Sequence, residues 1–425
     1  MASQKLLYAS KSLLCGGIAG LSLLWGSCAR HQPLLQDGAW RAELSVSHGQ
    51  KAPFLFEVAN AATDSAVLTL INGEERTPLT GIYYAADSVI IPIAAYDALI
   101  KARVSGDALE GRFTKNYIEG DTGILFSARR GAAPRFAAAV QPAPVAIDGR
   151  WDILFVSGDG DTARNVGIFK TENQIVTGSI LTSSGDLRFL EGAPTVDGVQ
   201  LSAFGGLTPY YVDLTFADSS AFEGVLYTAR GSTALVGSRN DRAALADPYS
   251  LTKLKRGADR LGFRLPNADG QEISLADERY RGKVVIVSIL GTWCPNCLDE
   301  AQYLAQWYRE NRERGVEIVG LSFERKDDLD YAKTAVSSFK KRYGVEYEVL
   351  LAGKVGGASV AKALPEVDKL LSYPTTFFVD KEGKVAKIYT GFSGPATGLF
   401  YEEWKKDFNG VVDKLLGKPH FHLIY

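Results

Sequence analysis

The chain has 425 residues, too many for one ordinary hydrophobic core, so two or three domains are expected. Its 46% hydrophobic and 23% charged residues are those of a soluble globular protein. A formal net charge of −2, with no block of like charges, leaves no electrostatic reason to expect nucleic acid or an anionic membrane surface as partner.

The first 28 residues read as an export signal. Lys5 and Lys11 precede an apolar stretch from Leu13 to Trp25, the length of a signal-peptide core. That stretch is shorter than the roughly 20 apolar residues a membrane span needs. Leu24-Trp25-Gly26-Ser27-Cys28 resembles a bacterial lipoprotein signal, in which Cys28 is lipidated. Ordinary cleavage after Ala29 would discard Cys28 instead. The expected location is the periplasmic side of a bacterial cell envelope, with acyl chains on Cys28 as the only membrane anchor. Of the four cysteines, Cys15 falls in the signal and Cys28 is lipidated or removed, so Cys294 and Cys297 are left with free sulfur chemistry. An exported protein with one local pair has no disulfide framework to build, which points the pair toward chemistry.

Residues 37–131 and 148–241 read as two copies of one β-unit. Asp37-Gly38-Ala39-Trp40 recurs as Asp148-Gly149-Arg150-Trp151, and Leu109-Glu110-Gly111-Arg112-Phe113 as Phe222-Glu223-Gly224-Val225-Leu226. A weaker echo pairs Ile124 to Arg129 with Ala234 to Arg239. Val67 to Ile71 runs into Asn72-Gly73, a hairpin signal, and Val89 to Ile93 reads as a strand whose Pro92 lies on an edge or at a bulge. Each copy is expected to be an antiparallel barrel or sandwich with its tryptophan, Trp40 or Trp151, as a core anchor. Ala132 to Ile147, containing Gln141-Pro142-Ala143-Pro144, reads as extended linker, and Arg242 to Arg256 as a partly helical connection.

From residue 259 to 417 the pattern changes to strands alternating with amphipathic helices, an α/β domain. Gly262 to Leu265 and Glu272 to Leu275 suggest a hairpin, and Val284 to Leu290 a strand buried on both faces. Next come Trp293-Cys294-Pro295-Asn296-Cys297 and a helical pattern through Tyr303, Leu304 and Trp307. A Cys-x-x-Cys between strand and helix reads as redox-active. Cys294 would face the unpaired N–H groups and positive dipole end of the helix, which favour its thiolate, the nucleophile. Pro295 suits the first helical turn, and Cys297, nearly one turn on, can reach back to the same sulfur.

The stretch Val284 to Glu300, with Ser372-Tyr373-Pro374-Thr375-Thr376-Phe377-Phe378-Val379-Asp380-Lys381-Glu382-Gly383, resembles the TlpA/ResA-like family of extracytoplasmic thioredoxins. The resemblance implies a thioredoxin fold behind the two β-units. It also implies that Cys294 is the nucleophile, Cys297 the resolving thiol and Trp293 a lid beside them. Pro374 is implied to be a cis-proline facing the disulfide, where neighbouring backbone, including Tyr373, docks substrate. Glu300 falls where the family carries a carboxylate near the cysteines, a candidate proton acceptor for Cys297. The implied activity is a protein-disulfide reductase fed by a membrane thiol donor, with no cofactor and no metal. Ser288 stands where thioredoxin has a buried Asp, and Pro295-Asn296 is not the family's commonest dipeptide, so the reduction potential is not inherited from the resemblance.

Blander alternatives stand beside these readings. The cysteines could be a structural disulfide, or half of a zinc site completed by His420 and His422, but zinc needs four ligands and two are nearby. Glu300 could be a first-turn charge favoured by the helix dipole. A thiol peroxidase of the same fold would carry Thr or Ser three residues before its cysteine and Pro seven before, where this chain has Gly291 and Val287. An adaptor lipoprotein whose β-units recruit a partner is the alternative from another class.

Overall fold

A computed structural model describes residues 35–137 and 146–417. The expected signal segment with Cys28, the Gln141–Pro144 stretch and the His420–His422 tail lie outside these residues.

The first β-unit is a nine-stranded sheet: β1 Gly38–Ser45, β2 Lys51–Ala59, β3 Val67–Asn72, β4 Glu75–Leu79, β5 Tyr83–Ala85, β6 Ser88–Ile93, β7 Ala98–Ser105, β8 Ala108–Lys115 and β9 Ile124–Arg130. The strand order β4-β3-β2-β1-β9-β8-β7-β6-β5 leaves β4 and β5 as unjoined edges, so the unit is an open half-barrel. The second unit holds β10 Gly149–Val156, β11 Thr162–Glu172, β12 Ile175–Thr182, β13 Gly185–Asp186, β14 Leu190–Pro194, β15 Gly198–Phe204, β16 Pro209–Phe216, β17 Ala221–Thr228 and β18 Gly231–Arg239. Here β12 pairs with both β11 and β14, and the β12–β14 ladder, which has no counterpart between β3 and β5, closes the ring; β13 hangs from β12 outside it.

The duplication shows in matching contacts. Trp40 and Trp151 are both buried, and each indole N–H donates to the carbonyl four residues earlier, Gln36 at 3.0 Å and Ile147 at 2.7 Å. Trp40 lies opposite Arg130 and Trp151 opposite Arg239, and each guanidinium donates to the carbonyl of Asp37 or Asp148. The counterpart of Arg239 is therefore Arg130, one residue beyond the Arg129 that the sequence echo suggests. Adjacent arginines make the echo ambiguous, whereas strand register fixes which side chain faces which way.

Three other expectations change. The β3–β4 turn is made by Gly73 and Glu74, with Gly73 at φ 54°, and Asn72 is the fully buried last residue of β3. It trades two 3.0 Å hydrogen bonds with the backbone of Phe204, whose ring sits 4.8 Å from Phe54 and 5.3 Å from Phe113 in the half-barrel. The stretch after β9 is no free linker over its described part: Arg135 is 3% exposed and donates to Glu191 Oε1, Ser202 O and Ile71 O, stitching the two units together. Residues 242–256 form turns and one bridge, Leu254 to Val367, without a helix. Pro92 lies in β6 beyond the residues that pair with β5, where its missing N–H costs no ladder bond on that side.

The C-terminal domain opens with the hairpin β19 Arg264–Pro266 and β20 Glu272–Ser274. Then come β21 Val284–Leu290, α1 Pro295–Asn311, β22 Val316–Glu324, α2 Leu329–Tyr343, β23 Glu348–Lys354, α3 Gly357–Ala363, β24 Thr375–Val379, β25 Val385–Thr390 and α4 Leu399–Leu416. The sheet order is β23-β22-β21-β24-β25, parallel across β21–β22–β23 and antiparallel across β21–β24–β25. All seven residues of β21 are buried, as a central strand requires. Alternation divides them: Val284 and Ile286 pack with Leu304, Trp307 and Phe408, while Val285, Val287 and Ile289 pack with Phe263, Ile273 and Leu364. This central strand delivers its C-terminal end to the Cys-x-x-Cys turn. The chain is thus a multidomain protein, with a thioredoxin-like domain behind a half-barrel and a barrel.

Candidate active site

Cys294 is the N-cap of α1, with extended φ/ψ, and Pro295 takes the first helical position. Its Sγ accepts the Cys297 N–H at 3.4 Å, and the thiol donates to Tyr373 O at 3.3 Å. Tyr373 precedes Pro374, and the bond between them is cis. The structure therefore brings together Trp293, Cys294, Pro295, Cys297, Tyr373 and Pro374, although the two segments lie far apart in the chain. Both sulfurs are free thiols, Cys294 6% and Cys297 1% exposed. Burial pushes the Cys297 thiol well up, reinforced by the hydrogen bond and charge of Cys294.

Glu300 is no solvated first-turn charge. It is 1% exposed, on the buried face of α1, three residues after Cys297 and so on the same side of the helix. Its two oxygens accept from Ser288 Oγ and Thr376 Oγ1, each at 2.8 Å. Burial pushes its carboxyl up to about 7, against the opposing effect of Thr376 and Ser288, because no cation offsets the lost hydration. Ser288, at the position noted for departing from thioredoxin, is thus one of the two hydrogen-bond donors of this acid.

Trp293 is fastened rather than free. Its indole N–H donates to Phe323 O at 2.8 Å, its ring centroid lies 5.8 Å from that of Tyr373, and the Arg325 guanidinium sits 4.4 Å above it. Arg325 also lies 3.9 Å over Tyr117 of the half-barrel, so a stack from the first β-unit reaches the residue beside Cys294.

Sequence reasoning missed two groups. Glu324, at the end of β22 and 1% exposed, accepts from Thr292 N at 3.2 Å and Thr292 Oγ1 at 2.8 Å, holding the turn two residues before Cys294. Arg188, from the barrel, donates to Asp299 on α1 and to Glu75 on the half-barrel. Burial opposes its charge, but Asp299 and Glu75 hold the guanidinium well above its ordinary value. A carboxylate ending an apolar strand was the available signal for Glu324; nothing local marks Arg188. Cys28 lies outside the described residues.

Chemically, the arrangement presents one sulfur at a helix N-terminus, a second buried behind it, and an acid near neutrality on the same helix face. The AhpC/TSA family matches residues 257–388, leaving both β-units outside the match. The thiol-disulfide oxidoreductase ResA of Bacillus subtilis (strain 168) is 33% identical over 138 residues, 32% of this chain and 69% of that protein. ResA of Bacillus anthracis is 29% identical over 165 residues, 38% of this chain and 80% of that protein. Among solved structures, a thiol:disulfide interchange protein of the thioredoxin family from Chlorobium tepidum TLS is 25% identical, covering 38% of this chain and 99% of that one at a TM-score of 0.30. On the strength of its identity to the Bacillus subtilis protein over more than two thirds of that relative, the chain belongs to the ResA-like thiol-disulfide oxidoreductases.

Proposed function

We propose that the chain is an extracytoplasmic reductase of protein disulfides that works through the Cys294–Cys297 dithiol. The observation that carries this is the Cys294 sulfur at the head of α1, accepting the Cys297 N–H at 3.4 Å while Cys297 lies buried behind it. The Cys294 thiolate attacks a substrate disulfide, forms a mixed disulfide and releases one substrate sulfur as a thiolate. The Cys297 thiolate then attacks the Cys294 sulfur, forming the Cys294–Cys297 bond and releasing the second substrate sulfur. Two electrons pass from the dithiol to the substrate, and the two thiol protons end on the substrate sulfurs. A dithiol donor at the membrane returns the pair to the reduced form by the same exchange in reverse.

Glu300 takes the Cys297 proton in the resolving step; its near-neutral carboxyl and its place on the same helix face support this. Tyr373 and Pro374 border the substrate beside Cys294, and Pro295 sets the turn. The export signal and lipidated Cys28 place the protein on the periplasmic face of the envelope on this reading, and the chain divides into 37–131, 148–241 and 259–417. Replacing Cys294 with Ser tests the assignment through insulin reduction by dithiothreitol. The variant should fall to the uncatalysed rate; a variant as fast as wild type removes Cys294 from the reaction. A redox titration that places the pair well above the donor thiols would reverse the direction.

A further inference from the structure

The edge of the Cys294–Cys297 turn is already occupied from within the chain. The β12–β13 hairpin leaves the barrel and lays its tip across the segments that border the cysteines. Asp186 N–H points at Asn296 Oδ1 at 3.5 Å, between the two cysteines in sequence. Ser372 Oγ, two residues before the cis-proline, donates to Ser184 O at 3.0 Å. Gly394 N–H, in the loop after β25, donates to Asp186 Oδ2 at 2.8 Å.

Two glycines permit this closeness. Gly185 has a positive φ, and a Cβ there would overlap the Asn296 side chain; a Cβ on Gly391 would lie 2.7 Å from Ser183 O. Behind the tip, Arg188 binds Asp299 and Glu75, tying the hairpin to α1 and to the half-barrel. Cys294 itself is 6% exposed. Two cavities reach the turn, one beside the hairpin at Asp186 and one away from it, between the half-barrel and α2. One of about 100 Å³ lies against Pro295 and Asn296, and one of about 490 Å³ ends at Thr292 and Trp293.

Disulfide exchange needs the incoming sulfur at roughly 3–3.5 Å from Cys294. A disulfide set in a folded surface brings neighbouring surface with it, which would meet the hairpin tip where it covers Asn296 and Ser372. We propose that the hairpin tip, Ser183 to Asp186, sets substrate specificity: it favours disulfides on small molecules or thin, extended peptide segments over disulfides in a folded protein surface. The proposal rests on the assignment of Cys294 as the attacking thiol.

The test is single-turnover oxidation of the reduced full chain by oxidised glutathione and by insulin, in wild type and Asp186→Ala. The substitution removes the Gly394 bond, and the insulin rate should rise about tenfold, equivalent to ~1.4 kcal/mol, while the glutathione rate changes little. A second measurement needs no variant. In wild type, N-ethylmaleimide should alkylate Cys294 far faster than a maleimide carried on a folded protein, each rate being normalised to free cysteine. Equal changes toward both disulfides, or equal alkylation by both maleimides, overturn the gate while leaving the cysteine chemistry intact. Failure of Cys294 to react with either disulfide overturns the assignment of the attacking thiol and the gate with it.

Discussion

Charge is buried in two places in this molecule, and the two are built differently. At the seams around the barrel, Arg135 is met by Glu191, and Arg188 by Glu75 and Asp299. In the thioredoxin-like core, Glu300 and Glu324 meet only hydroxyls and a backbone N–H. Arg188, buried with two carboxylate partners, stays ionised and acts as adhesive, although burial pushes its partner Asp299 up to about 7 as well. Glu300, with hydroxyl partners and no cation, is pushed by burial up to about 7, a place where a proton can come and go. A cation among the partners, rather than a raised carboxyl, separates what holds the β-units together from what serves the sulfur pair.

The sharpest way to break this contrast is to remove a seam cation. Arg135→Ala leaves Glu191 with the Gly73 N–H but without this cation, and the carbonyls of Ile71 and Ser202 without the guanidinium, and should cost about 3–5 kcal/mol in chemical denaturation. Adding Glu191→Ala should recover part of that loss. A single-variant cost below ~1 kcal/mol, the range of an exposed pair, would mean the seam carries no such load.

Glu300→Gln comes next. A carboxyl raised from 4.5 to about 7 stabilises the fold fully below pH 4.5, and that contribution is lost as pH rises through 7. For a group this deeply buried the wild type should lose roughly 3 kcal/mol over the window, and the Gln variant should lack that slope. The same substitution should slow the resolving step roughly 10–100-fold and remove an inflection near pH 7 from its rate profile. An unchanged profile would return Glu300 to a purely structural role.

The smallest effect belongs to an exposed pair. Arg281 and Glu278 are 72% and 78% exposed, and Glu278→Ala should change stability by less than ~0.5 kcal/mol, vanishing in salt. A larger value would blur the distinction between seam and surface.

What was legible in the sequence follows the range of the interactions. The strand Val284–Leu290, the helix start at Pro295 and the paired tryptophans are local patterns of period, capping and repeat, and they stand where those patterns put them. The closeness of Tyr373–Pro374 to Cys294 was accessible only through the family resemblance. Glu324 on Thr292, Arg325 on Trp293 and the hairpin tip on Asn296 join segments 30 to 110 residues apart, and no local signal gives their partners. The closed barrel and open half-barrel differ by one ladder, β12–β14, whose counterpart between β3 and β5 is missing; it depends on how far the sheet curls and is not encoded in alternation. Arg135 looked like linker because its partners all come from elsewhere in the fold.

The most direct measurement is peptide-level mass spectrometry of the two single-cysteine variants after exposure to oxidised glutathione. If Cys294 attacks and Cys297 resolves, Cys297→Ser accumulates a glutathione adduct on Cys294, while Cys294→Ser, its remaining thiol buried and held protonated, forms little or none. An adduct that forms faster on Cys297 than on Cys294 would contradict the account.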